Sequence, residues 1–121
     1  MVDVLVVDDD FDLRDTLQEI LKDFGYEVAV AGDGREALAW MRSHELPRLV
    51  LLDWMMPVCD GASFRAAQLA DARLASVPVV LLTADIRLEE KTKALDANAY
   101  VKKPVELDTL IDTIRRHSRD S

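Results

Sequence analysis

Three runs of consecutive apolar residues, all valine and leucine, recur along the chain: Val4-Leu5-Val6-Val7, Leu49-Val50-Leu51-Leu52 and Val79-Val80-Leu81-Leu82. Runs that are apolar on both alternating faces are read as strands buried on both sides, as in the middle of a parallel sheet. Two weaker strands are predicted at Glu27 to Ala31, which alternates, and at Ala99 to Lys102, which is short, precedes Pro104 and suits a sheet edge. Between the strands the period changes to that of a helix. Leu13, Leu17, Ile20, Leu21 and Phe24 share one helical face, with Asp12 as a cap and Gly25 as the end. A second helix is predicted from Gly34 to Arg42 with Ala37, Leu38 and Met41 inward, and the last one uses Leu107, Leu110, Ile111 and Ile114. The segments Phe64 to Ala72 and Leu88 to Leu95 are less periodic but rich in helix formers. Strand and helix alternate five times with short connections, so the expected class is α/β: one domain, residues 1–121, with a parallel sheet covered by helices on both faces.

This pattern changes the meaning of the acidic residues. Asp8, Asp9 and Asp10 follow the first apolar run directly, and Asp53 follows the run at Leu49 to Leu52. In a doubly wound sheet of order 2-1-3-4-5 the first and third strands are neighbours, and the crevice at their carboxyl ends is the expected ligand site. Carboxylates gathered there repel one another, so they demand raised pKa values or a cation, and an all-oxygen donor set suits a hard ion such as Mg²⁺. Asp10 and Asp12 are read as helix-capping acids, favoured by the helix dipole. Asp8, Asp9 and Asp53 are the functional candidates, because three acids ending two buried strands cost stability unless a function retains them. Thr83 ends another strand with a hydroxyl able to donate to a phosphoryl oxygen, and Lys103 before Pro104 can bring a positive charge to the same group.

Composition narrows the setting. The 121 residues are half hydrophobic, enough for one core. With 15 Lys and Arg against 23 Asp and Glu, the net charge of −8 disfavours direct nucleic-acid binding. No apolar stretch is long enough for membrane insertion, no basic leader precedes Asp3, and Cys59 has no partner, which together predict a cytoplasmic domain.

Val-Val-Asp8-Asp9-Asp10, Asp53-Trp-Met-Met-Pro57-Val-Cys-Asp60-Gly61, Leu-Leu-Thr83-Ala84 and Tyr100-Val-Lys-Lys103-Pro104, in that order, resemble the receiver domains of bacterial response regulators. The resemblance runs from Val4 to the last amphipathic helix. It implies the flavodoxin-like (βα)5 doubly wound parallel sheet with strand order 2-1-3-4-5. It further implies that Asp53 is the phosphoacceptor and that Asp8, Asp9, Asp53 and the backbone carbonyl of Met55 hold Mg²⁺ or Mn²⁺, Asp8 largely through water. Lys103 then contacts the phosphoryl group, Thr83 and Tyr100 form the switch pair, and the Lys103-Pro104 bond is cis. The implied partners are a sensor histidine kinase or phosphotransfer protein and a downstream output protein or domain. The implied chemistry is self-catalysed phosphotransfer and autodephosphorylation in two-component signalling.

The chain also departs from the family pattern. The stretch from Thr83 to Lys103 is slightly short, Asn98 stands where a helix-ending glycine is common, and Val105 replaces a common aromatic residue. Met55 and Asp85 occupy positions that in this family tune loss of the phosphoryl group. Three rival readings are weaker. A phosphorylation-independent interaction module has no need of the intact acids, threonine and lysine. A flavin mononucleotide carrier of the same fold requires an anion-free first turn. A haloacid-dehalogenase-type phosphotransferase matches only the Asp8 and Asp10 spacing.

Overall fold

The computed structural model describes residues 2–53, 61–83 and 98–118. The strands are β1 (Val4–Val7), β2 (Val28–Ala31), β3 (Leu49–Asp53), β4 (Val79–Thr83) and β5 (Ala99–Lys102). They form one parallel sheet in the order β2-β1-β3-β4-β5. The helices are α1 (Phe11–Asp23), α2 (Gly34–Ser43), α3 (Gly61–Leu69) and a C-terminal helix (Leu107–His117), with a single 3₁₀ turn at Leu74–Ser76. The expected helix from Leu88 to Leu95 lies outside the described residues, as do Met55, Pro57, Cys59, Asp60, Ala84 and Asp85.

The period of two along each strand divides the core. Leu5, Val7, Val50, Leu52, Val79 and Leu81 point to one face, where they pack with Ala37, Leu38 and Met41 of α2 and Phe64 of α3. Val4, Val6, Leu49, Leu51, Val80 and Leu82 point to the other, where Leu17 and Leu21 of α1 meet Leu110, Ile111 and Ile114 of the C-terminal helix. Each such buried side chain contributes roughly 2 kcal/mol of transfer free energy. A one-residue slip of any central strand would exchange its two faces, so the register that aligns the strand ends is strongly specified.

Local signals account for the helix ends, with one correction. The cap of α1 is Asp10, not Asp12: its side chain accepts from the N–H groups of Asp12 and Leu13 at 3.1 and 3.2 Å. Asp12 falls inside the first turn, where its charge still complements the helix dipole. At the other end Gly25 has φ of 89°, the left-handed conformation that stops a helix. Phe24 and Leu107, expected on inward faces, stand at helix termini and are 52% and 39% exposed. Each lies where the chain is entering or leaving the helix.

A polar staple that hydrophobic periodicity does not reveal crosses the α3–β4 connection. Gln68 is wholly buried, donates through Nε2 to the carbonyls of Leu74 and Val77, both at 2.9 Å, and accepts from buried Arg65 at 2.7 Å. At the start of β5, Asn98 grips Val79 twice. Its N–H donates to the Val79 carbonyl at 3.0 Å, and its Oδ1 accepts from the Val79 N–H at 2.9 Å.

Candidate metal and phosphoryl site

β1 and β3 are adjacent, and Val7 pairs with Leu52, so the next residues, Asp8 and Asp53, leave the sheet level with each other. Carboxylate oxygens of Asp8, Asp9 and Asp53 all lie within 4.8 Å of one another. Asp8 and Asp53 are buried, whereas Asp9 is exposed. The convergence expected from the positions of the acids in the sequence is therefore present.

Asp8 carries the largest electrostatic burden. Its Oδ1 accepts from the Asp10 N–H at 2.9 Å, while its Oδ2 is buried without a hydrogen-bond partner among the described residues. Burial raises its pKa from 3.8 to about 6, the facing Asp53 adds to the rise, and the Asp10 N–H and Lys103 act against it. A buried carboxylate oxygen with no donor is costly as an anion. Oxygens from three acids around that orphan atom fit a hard divalent cation, which would supply the missing positive charge.

The nearest described cation is Lys103, whose Nζ lies 3.1 Å from Asp53 Oδ1. Its backbone is tied to β4 by a 2.8 Å bond from the Lys103 N–H to the Thr83 carbonyl, and the Lys103-Pro104 bond is cis. Thr83 is buried and ends β4 as Asp53 ends β3. Asp8, Asp9, Asp53, Thr83 and Lys103 thus all lie at the carboxyl end of the sheet. Tyr100 does not join them: it pairs with Leu81, whereas Thr83 pairs with Lys102, and it is 39% exposed.

One contribution was not apparent from residue types alone. Asp10, expected as a capping acid, caps α1 and through its N–H also orients Asp8. The run of three aspartates was a signal for a crowded turn, but it did not show which member gives a side chain and which gives its backbone.

A doubly wound parallel sheet with acids at the ends of β1 and β3 and a lysine after β5 defines the flavodoxin-like class of α/β domains with an acidic pocket at the carboxyl end of the sheet. The chain belongs to the response regulator receiver domain family, which it matches over residues 4–115. It is 38% identical over 120 residues to an uncharacterized 14.6 kDa protein of Leptolyngbya boryana, covering 96% of this chain and 89% of that one. It is 40% identical over 116 residues to response regulator MprA of Mycolicibacterium vanbaalenii, covering 94% of this chain but 49% of that protein. The chain thus spans about half the length of several of the curated regulators that it matches. Among solved structures it is similar to the chemotaxis protein CheY4 of Vibrio cholerae, with TM-score 0.88 and 35% identity over 97% of this chain and 98% of that one. The family places the chain in the setting of two-component signalling. Among the described residues no helix is long and apolar enough to cross a membrane.

Proposed function

We propose that this domain accepts a phosphoryl group on Asp53 from a phosphohistidine of a sensor kinase or phosphotransfer protein, and that the modified domain controls an output partner. The observation that carries the reading is the convergence of the Asp8, Asp9 and Asp53 oxygens within 4.8 Å, with Lys103 bound to Asp53.

In this reading an Asp53 carboxylate oxygen attacks phosphorus, an O–P bond forms as the P–N bond breaks, and the electron pair leaves with the histidine nitrogen. Asp8, Asp9 and Asp53, with the Met55 carbonyl that the family resemblance adds, would hold Mg²⁺ or Mn²⁺, which when bound would supply charge neutralisation and orientation to the phosphoryl oxygens. Lys103 adds a fixed positive charge on the same side. Its backbone is anchored by the bond to Thr83 and its Nζ already lies 3.1 Å from Asp53 Oδ1, so the charge stands close to where negative charge spreads over the phosphoryl oxygens. The Thr83 hydroxyl donates to a phosphoryl oxygen, and Tyr100, exposed in this structure, moves inward behind it. Water attack on phosphoaspartate later resets the domain.

MtrA, a longer relative, is described as a DNA-binding response regulator. The net charge of −8 argues that these 121 residues do not themselves take a DNA backbone. The reading is tested by incubating the chain with acetyl phosphate and Mg²⁺. Intact mass should rise by about 80 Da, the mass of one phosphoryl group, and Asp53→Asn should abolish the gain. A gain retained in that variant would move the acceptor elsewhere. The rival, phosphorylation-independent module has no observation in its favour.

A further inference from the structure

β2 is an edge strand, and among the described residues no strand pairs with its outer side. The Glu27 and Ala31 carbonyls accept from the Val4 and Asp8 N–H groups at 3.2 and 3.1 Å, which turns these alternate residues toward β1. The N–H and C=O groups of Val28 and Val30 therefore face away from the sheet. Val28-Ala29-Val30-Ala31 holds no lysine, proline or other device that normally blocks pairing at an edge.

A groove of about 500 Å³ runs along this edge, with Arg14 of α1 on one wall, Trp40 and Ser43 of α2 on the other, and Gly32 at its end. α1 and α2 cover opposite faces of the sheet, so the groove wraps around β2 rather than lying over one face. Among the described residues the Arg14 side chain has no hydrogen-bond or ion-pair partner: its guanidinium rests 4.4 Å above the Phe11 ring, and its Nε is buried. The nearby Glu36 carboxylate is engaged by the Gly32 N–H.

We infer that the β2 edge is a docking site for an extended peptide segment, which adds a strand beside Val28 and Val30 and places a carboxylate against Arg14. The open backbone groups supply strand-to-strand hydrogen bonds, and the Arg14 guanidinium supplies the charge selection. This surface is separate from the acidic site and does not require Asp53 to be modified.

The test uses the whole chain and an end-capped peptide, Thr-Val-Thr-Glu-Thr-Val-Thr, followed by amide NMR. Addition of the peptide should shift the Val28, Val30 and Gly32 amides and the Trp40 indole. Replacing its glutamate by glutamine, or making Arg14→Gln in the protein, should weaken binding about tenfold or more, as loss of one charge-assisted contact does. Val30→Pro removes an outward N–H that an edge strand can lose while staying folded, and should abolish the shifts. If that variant does not fold, the glutamate and glutamine peptides on the unaltered protein decide the question. Three results would overturn the inference: no shifts at millimolar peptide, equal binding of the two peptides, or tighter binding of a lysine version. Concentration-dependent β2 shifts without peptide would overturn it too, by assigning the edge to a second copy of the chain.

Discussion

Lys103 Nζ lies 3.1 Å from Asp53 Oδ1, joining the ends of two strands, β5 and β3, that β4 keeps apart. If that ammonium stabilises charge on the incoming phosphoryl group, Lys103→Met, which keeps the aliphatic stem, should slow labelling by acetyl phosphate about 100-fold. A mass-spectrometric time course measures this directly. An unchanged rate would remove Lys103 from the chemistry.

The raised Asp8 pKa makes stability depend on pH in a definite direction. A carboxyl that holds its proton more tightly folded than unfolded stabilises the fold while protonated. That contribution is complete below about 3.8 and lost as pH climbs through about 6. Without divalent cations, thermal melts should therefore show Tm falling from pH 5 to pH 7. Asp8→Asn keeps an oxygen for the Asp10 N–H, and should reduce this slope and raise metal-free stability at pH 7 by about 2 kcal/mol. A Tm that rises over the same interval for the unaltered chain would contradict the assignment.

Mg²⁺ should raise Tm at pH 7, because an ion that binds only the folded acids stabilises them by mass action. The gain should shrink below pH 6, where Asp8 takes up a proton instead. In Asp53→Asn the gain should fall sharply, since one of the three converging oxygen donors loses its charge. Equal stabilisation of both proteins by millimolar Mg²⁺ would place the ion elsewhere.

Gln68→Leu leaves two buried carbonyls without the Gln68 donor and removes one acceptor of Arg65, at a cost of about 3 kcal/mol. Urea unfolding should show the loss as a lower midpoint. Labelling at Asp53 should persist wherever the variant remains folded, which separates this staple from the chemistry.

Gly25→Ala tests backbone conformation alone. An added Cβ meets nothing within 4 Å, yet φ of 89° is unfavourable for alanine, so about 1 kcal/mol should be lost. A neutral result would mean that the chain relaxes out of the left-handed region.

What could be read before the structure follows from how each residue signals its place. Val4 to Val7, Leu49 to Leu52 and Val79 to Leu82 are apolar on both faces, as interior strands require, so the parallel sheet was legible, whereas its order, and with it the meeting of Asp8 and Asp53, followed from the resemblance to receiver domains. The cap of α1 was not, because Asp10 and Asp12 are chemically equal candidates and only the backbone turn selects between them. Arg65 and Gln68 were also hidden, since polar residues inside a helix with weak periodicity read as surface until their partners are seen. The electrostatic cost at Asp8 depends on an oxygen that lacks any neighbour able to donate, which no residue type announces.

The double grip of Asn98 on Val79 has a consequence for how such a domain tolerates change. It indexes β5 at its first turn of backbone, independently of how many residues lie upstream. A change in the number of residues before Asn98 that keeps both bonds to Val79 therefore leaves Lys103 at the same height. The short span from Thr83 is compatible with a lysine standing 3.1 Å from Asp53 for this reason, because the height of β5 is set at Asn98 itself.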